Sequence, residues 1–496
     1  MTAGDADEAG RGIHERGVRT DMDTRGTTGE EAAGTEATTA RAAVPATSLG
    51  GPRTPGLVQG IQLFANPAKF MRKCREQYGK KFALKIFPEA PLFVLSDPDE
   101  VKEMFLAPRD VLHTGKGSAA LEKFIGHTGL AWLDEKEHLV RRKQLMPVVK
   151  GSALMRVEAS IDEMADSIVA TWPRGEVVAL RPHVHRFTIQ VIREMVFGKN
   201  VPKVWDELFE IIWDMLDFNE MFTSMIETHN MSPRAVGVLR AIKPLGFDRF
   251  FRNKVRSDAL IAQAVAERME SGVASDDMLS VLLGVTRSDG SPLSAVELRD
   301  EMMTMFLAGT ETTAAGITWA LEFLSREHAV RERLVAEIDE GADDTFLTAT
   351  VHEVLRMRPP TPQIIPREVV KPIEIGGVRY EPGMQLWASG YLMHHDPDIY
   401  PDPDTFNPER FVGVKPGAYT WIPFGGGHTR CLGDRIAIME MKAVLRAVLS
   451  TCELHRPDQT PEPPKSRTVT MTSKYGARVA LKPRVKGPSL AGNASN

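Results

Sequence analysis

The chain has 496 residues, 42% of them apolar and 26% charged, which is the make-up of a globular enzyme with a sizeable core. A formal net charge of -5 excludes the basic excess carried by nucleic-acid binders. Three cysteines, Cys74, Cys431 and Cys452, are too few for a disulfide framework and suit a reducing cytoplasm, where a lone cysteine is core filler or a chemical group.

Residues 1–50 are rich in Gly, Ala, Thr, Glu and Asp, with no aromatic residue before Gly50. Such a segment buries too little apolar surface to offset its ordering entropy, and a disordered tail is expected. It lacks an apolar h-region and is more acidic than basic, unlike a secretory signal or a transit peptide. No later run is long and apolar enough to span a bilayer, so a cytoplasmic monomer without a membrane span is expected. The turn-rich Gly50–Pro55 opens the folded part, read as a single domain over 51–484 with a flexible tail at 485–496. Two short strands are predicted at 82–87 and 92–95, around Pro88 and Pro91. From Pro98 helical periodicity dominates, with segments near 137–148, 155–171, 184–197, 203–215 and 253–271. The strongest helix covers 294–325. Ser294 and Glu297 have capping-box spacing, no proline interrupts the run, and at 1.5 Å per residue it extends roughly 48 Å. Glu301, Glu311 and Glu322 exclude a membrane helix there. Strand signals return in patches at 372–380 and 466–482. The fold class is therefore mainly α, with a small β region assembled from distant parts of the chain.

The stretch Phe424-Gly-Gly-Gly-His-Thr-Arg-Cys-Leu-Gly433 is followed at once by a helical pattern from Asp434 to about Leu449. Glycines let the backbone turn tightly and approach a flat object, and the helix start behind Cys431 offers free amides that favour a thiolate. This pattern resembles the haem-binding loop of the cytochrome P450 family. The resemblance implies the cytochrome P450 fold, with the long central helix crossing the face of a b-type haem and Cys431 as the iron ligand. It places Phe424, Gly427, His428, Arg430 and Gly433 around that cofactor. Glu353-Val-Leu-Arg356 is similar to the family's Glu-x-x-Arg motif. Alone, two charges at i and i+3 are most often a surface salt bridge. Here the pair precedes Asn407-Pro-Glu-Arg-Phe411 and Cys431, and the resemblance makes Glu353, Arg356 and Arg410 a buried triad that braces the loop.

Ala308-Gly-Thr-Glu-Thr-Thr313 resembles the family's oxygen-activation motif, which implies that Thr312 hydrogen-bonds the reacting oxygen and Glu311 relays protons. His138 and Arg142, at i and i+4, and Arg367 resemble the clamp on the haem propionates. One departure is Thr429, where many relatives carry Arg or His, leaving His428 or Arg430 as substitutes. The resemblance further implies insertion of one oxygen atom from O₂ into an apolar small molecule. No flavin or nicotinamide fingerprint is present, so electrons from NAD(P)H are expected through a separate ferredoxin and ferredoxin reductase. Arg141, Lys143, Arg430 and Arg435 form the expected basic docking face. Phe306, Ala308, Ile364, Ile365 and Met471 are the expected substrate pocket, with 113–128 and 215–231 as its lid. A terpenoid, polyketide or fatty acyl compound of bacterial secondary metabolism is the expected substrate. Oxidative coupling without net oxygen insertion, and a non-catalytic binding module, are the alternatives.

Overall fold

In the computed structural model, which describes residues 43–86, 91–217, 232–242, 246–273, 275, 277–467 and 470–485, a 32-residue helix, Ala295–Arg326, runs through the core. It starts where the sequence predicts. Ser294 Oγ accepts from the Glu297 amide at 3.3 Å, and the Glu297 carboxylate accepts from the Ser294 amide at 2.9 Å. Two otherwise orphaned donors are thereby satisfied. Every residue from Ala314 to Ser325 is buried, so this half is covered on all sides. Helix Arg181–Phe197 packs on one side of it, and helices Thr345–Met357 and Asp434–Thr451 pack on others. Close approach depends on Gly309, where an added Cβ would sit 2.1 Å from Ile192 Cδ1.

The central helix also carries buried acids, and each recruits a cation from a distant segment. Arg141 reaches Glu301 at 2.5 Å and Glu297 at 3.2 Å. Glu322 accepts from Arg326 at 2.9 and 3.0 Å and from Arg456 at 2.9 Å. Unpaired, such charges would cost several kcal/mol of order each.

The β structure is small and drawn from far-apart segments, as expected. A five-stranded sheet runs in the order Lys81–Leu84, Leu92–Leu95, Gln385–Ala388, Arg367–Val369, Leu112–His113. Only Leu92–Leu95 with Gln385–Ala388 is parallel. Thr470–Ser473 pairs with Pro464–Arg467, and Trp319 of the central helix donates its indole N–H to the Met471 carbonyl at 3.0 Å.

Element boundaries differ from the sequence reading at several places; the helices expected near 137–148 and 155–171, for example, span Glu135–Leu145 and Gly151–Ala170. The helix expected at 253–271 begins earlier and spans Phe247–Ser271, because Phe247 and Phe250 are buried in its first turn. The first strand is Lys81–Leu84, and residue 87 of its expected span lies outside the described residues. The expected tail is too long at its end. Val44–Pro45 pairs with Val378–Arg379, and Ala46 is buried against Phe93 and Tyr380 in a second core cluster. Residues 1–42, 486–496 and 218–231, which hold most of both expected tails and of the second lid segment, lie outside the described residues. Among the described residues no helix is long and apolar enough to cross a membrane.

Ser294→Ala removes one half of the capping box, and a loss of about 1 kcal/mol is expected from urea unfolding of the purified protein.

Candidate active site

The cysteine loop is shaped by what it must pass. Gly425 and Gly427 have φ of +68° and +65°, a region that L side chains avoid. A Cβ on Gly426 would meet the Phe105 ring at 2.2 Å, and one on Gly427 would meet the Phe105 carbonyl at 2.3 Å. The glycine run is thus required by helix Pro98–Leu106 lying against it. The Cys431 amide closes the loop by donating to the Phe424 carbonyl at 3.0 Å. Cys431 is the exposed one of the three cysteines, the other two being buried. Protein nonetheless surrounds its thiol closely, and lost hydration pushes the pKa up against the Gly433 N–H that favours the thiolate. A metal cation at Sγ would reverse that balance.

The loop is braced from behind. Arg356 and Glu353 are both completely buried, and the guanidinium binds the carboxylate with two bonds of 2.6 and 2.8 Å. The remaining Arg356 donors reach the carbonyls of His394 at 2.6 Å, Pro403 at 2.9 Å and Thr405 at 3.3 Å. Arg410, the expected third member, is 3.5 Å from Glu353 and donates to the Asp402 carbonyl at 2.8 Å. The three charges are brought together, with Arg410 the loosest. His394 completes the connection and had no signal in the sequence beyond a His-His pair. Its Nδ1 lies 3.1 Å from the Arg356 carbonyl, and its Nε2 lies 2.9 Å from the Ile422 amide. An amide can only donate and a carbonyl can only accept, so the ring is the neutral Nδ1–H tautomer. Burial and the Arg356 charge hold its pKa down to about 3.

A second cluster is cationic. His138 and Arg367 are buried, Arg142 and His428 are half-buried, and among the described residues no carboxylate lies within ion-pairing distance of any of them. His138 and His428 meet edge to face at 5.9 Å. Each has its pKa lowered to about 4, first by burial and then by neighbouring cations that include Arg109, Arg142 and Arg367. Arg367 donates to the carbonyls of Met104 at 2.7 Å and Gly426 at 3.3 Å, and to Thr429 Oγ1 at 3.0 Å. Thr429 therefore positions Arg367. Of its two candidate substitutes, His428 joins the cluster, whereas Arg430 pairs with Asp434 at 2.9 Å and presents its carbonyl to Arg142. Two arginines without an ion-paired carboxylate among the described residues, Arg142 and Arg367, beside two neutral histidine donors, a glycine loop and a cysteine fit a flat iron cofactor bearing two carboxylates, as haem does.

On the central helix, burial is interrupted between Met305 and Thr312. Ala308 is exposed, and Met305, Leu307, Gly309 and Thr312 are half-buried. The Thr312 hydroxyl donates to the Ala308 carbonyl at 2.6 Å. Phe306 does not belong to this face, contrary to the sequence reading. It is fully buried against Phe197 and Trp205 at 6.3 and 6.1 Å. Two residues apart on a helix means about 200° apart, so Phe306 and Ala308 point to opposite sides. Burying the ring in the core contributes about 2 kcal/mol, which decides the matter. Met471 is likewise a core residue, packed with Leu63, Phe70 and Met71. Ile364 and Ile365 are half-buried, and Ile364 Cγ2 lies beside Gly425.

Glu311 is turned away from Thr312's side. Arg181 donates two bonds to it at 3.0 and 3.1 Å, and His185 Nε2 lies 2.9 Å away. The carboxyl pKa is held down to about 2, with the His185 and Arg181 charges outweighing burial. Arg141 is not part of a docking face, since it is 2% exposed and bound to Glu297 and Glu301. Lys143 and Arg435 are exposed. Both ends of the expected first lid segment are pinned by carboxylates. Asp134 accepts from the Thr114 and Gly115 amides at 2.7 and 3.1 Å, and Asp300 from the His127 and Thr128 amides at 3.1 and 3.0 Å.

The pH dependence of stability follows from the depressed histidines. Their ordinary value is 6.5, and folding lowers it to about 4 at His138 and His428. As pH falls, the unfolded chain takes up protons that the folded chain refuses, so this contribution is present above 6.5 and is lost on acidification. Urea unfolding of the cofactor-free chain is expected to show stability declining from pH 6.5 towards 4, with a shallower decline in the His138→Gln/His428→Gln variant.

A family model described as cytochrome P450 matches residues 50–479. "Putative cytochrome P450 135B1" of Mycobacterium tuberculosis is 30% identical over 439 residues, covering 87% of this chain and 91% of its own length. "Putative cytochrome P450 138" of the same organism is 31% identical over 435 residues, covering 87% and 96%. The solved structure titled "Retinoic acid bound cyanobacterial CYP120A1" superposes with a TM-score of 0.75 at 22% identity, over 90% of this chain and 100% of that one.

Proposed function

The chain belongs to the cytochrome P450 family and is a haem-dependent monooxygenase, and we propose that it inserts one oxygen atom into an apolar small molecule held against Ala308 and Thr312. The observation that carries this reading is the break in burial on the central helix. Ala308 is its exposed position, half-buried Met305, Gly309 and Thr312 share that face at helical spacing, and only Thr312 among the four has a polar side chain. An apolar face with one hydroxyl suits a terpenoid, polyketide or fatty acyl compound of bacterial secondary metabolism, hydroxylated or epoxidised.

Cys431 would ligate the iron, and His138, Arg142, Arg367 and His428 would hold the propionates. When bound, the haem supplies the electron-transfer and dioxygen chemistry that amino-acid side chains lack. The protein's own part is proton supply and shape. Thr312 Oγ already donates to the Ala308 carbonyl, which leaves its lone pairs free to accept a hydrogen bond from the cleft. Glu311, ionised and paired with Arg181, with His185 Nε2 2.9 Å away, is the acid next to Thr312 in the chain and would relay protons from solvent towards that hydroxyl. Electrons from NAD(P)H would arrive through a ferredoxin and its reductase, for which exposed Lys143 and Arg435 supply positive charge. Three free cysteines suit a reducing cytoplasm.

Titration of the ferric holoenzyme with terpenoids, fatty acids and macrolides is expected to give a low-to-high-spin shift with one apolar class. Turnover under labelled O₂ should then add one labelled atom to the product. A product lighter by two hydrogens would instead identify coupling and overturn the insertion reading. Cys431→Ala should lose the thiolate-type spectrum of the reduced carbon monoxide complex. Thr312→Ala should retain haem and consume NAD(P)H, with product per electron falling by about tenfold or more.

A further inference from the structure

A groove of about 760 Å³ lies on the surface between helix Pro67–Tyr78 and the end of helix Thr345–Met357, and none of its lining residues belongs to the site of Cys431 and Thr312. Four cationic side chains, Lys69, Arg72, Lys73 and Arg358, line it against two acids, Glu76 and Asp404. The cations differ in what they already hold. Arg72 binds Asp404 through both terminal nitrogens, one at 2.9 Å, and donates from Nε to the Tyr391 hydroxyl at 2.9 Å. That pair is internally neutral.

Arg358 is not neutralised. No carboxylate among the described residues lies within ion-pairing distance of it. Its Nη1 reaches the neighbouring Met357 carbonyl at 2.9 Å, and its Nε is buried without an acceptor. Its guanidinium carbon lies 5.2 and 5.7 Å from the ring centres of Trp319 and Phe323, and the side chain lines the groove. Glu322, whose charge is felt at Arg358, is already held by Arg326 and Arg456. Lys69 and Lys73, one helical turn apart, are exposed at the rim. The Tyr391 hydroxyl accepts from Arg72, and its own proton has no acceptor among the described residues.

This set is donor-rich at its base and carries an excess of positive charge. A desolvated guanidinium without a counter-ion costs free energy in the folded chain unless a ligand completes it. Its planar fork matches two oxygens of one tetrahedral oxyanion, with further oxygens left for the phenol and the lysines. We propose that the groove binds the phosphoryl dianion of a small soluble ligand, with Arg358 as its principal partner and Lys69 and Lys73 closing over it. The groove is wider than one phosphate, which leaves room for the organic part of a phosphomonoester. Arg358 is the C-terminal cap of the helix that carries Glu353 and Arg356.

The test is calorimetric titration of the holoenzyme with glycerol 3-phosphate and, separately, inorganic phosphate, at constant ionic strength set with potassium chloride. Saturable binding below about 1 mM is expected, weakened about tenfold in Arg358→Gln and about threefold in Lys69→Gln/Lys73→Gln, with the haem spectrum unchanged. The lysine variant alters exposed side chains only and keeps the test open if Arg358→Gln fails to fold. Tighter binding of glycerol 3-phosphate identifies a phosphomonoester, and equal binding identifies free phosphate, each within the proposed chemistry. Absence of saturation, or affinity unchanged in both variants, would mean an adventitious ion only and would overturn the proposal.

Discussion

Most of the catalytic half of the molecule hangs on one completely buried guanidinium. Arg356 satisfies Glu353 and three carbonyls at once, and so ties its helix to two separate later segments, at His394 and at Pro403 and Thr405. Removing one member of such a pair strands the other charge in the core, at a cost of about 3–5 kcal/mol. Glu353 in turn accepts from the Asn407 amide, and His394 carries the connection from the Arg356 carbonyl to the Ile422 amide. Two residues beyond Ile422 the cysteine loop begins. The position of Cys431 is therefore set by hydrogen bonds with fixed donor and acceptor roles. Apolar packing alone would allow the loop to slide.

The central helix imposes the other constraint, through its period. Positions three and four apart share a face, so Met305, Ala308, Gly309 and Thr312 fall together and Phe306 falls among Phe197 and Trp205. The same period separates neighbours in sequence. Thr312 is half-buried on the open face, while Glu311 is directed to Arg181 and His185 on the adjacent helix. An acid and an alcohol that are adjacent in the chain thus have different surroundings, one paired and ionised, the other available.

Where the chemistry demanded a local pattern, the sequence was legible. The capping box at Ser294, the glycine run before Cys431 and the i, i+3 spacing of Glu353 and Arg356 are short-range signals with a direct physical cause, and all appear as read. The long helix and the scattered strands followed from periodicity. Partners contributed by distant segments were not legible. Nothing near Glu311 in the chain announces Arg181, and nothing near Thr429 announces that it accepts from Arg367. Arg141 reads as a surface cation because its helix is otherwise polar, yet two acids 156 and 160 residues further along the chain pair with it in the interior. Phe306 and Met471 were misplaced because an apolar residue near a site and an apolar residue in the core are the same letter, and only the helix phase or strand register separates them.

The electrostatic layout of the site has one further consequence. Arginines without an ion-paired carboxylate among the described residues gather around His138 and His428, while Glu311 is held ionised by the Arg181 guanidinium and by His185 beside it. The two groups respond to charge in opposite ways. A dianionic cofactor would relieve the mutual repulsion of the first group and raise its histidine pKa values, tightening the clamp as it closes. Glu311 has no such relief while Arg181 and His185 remain in place, since a low pKa opposes protonation. Helix Arg181–Phe197, which carries both partners of Glu311, is the same helix that meets Gly309 at Ile192, so the contact that fixes the helix spacing also fixes the surroundings of this acid.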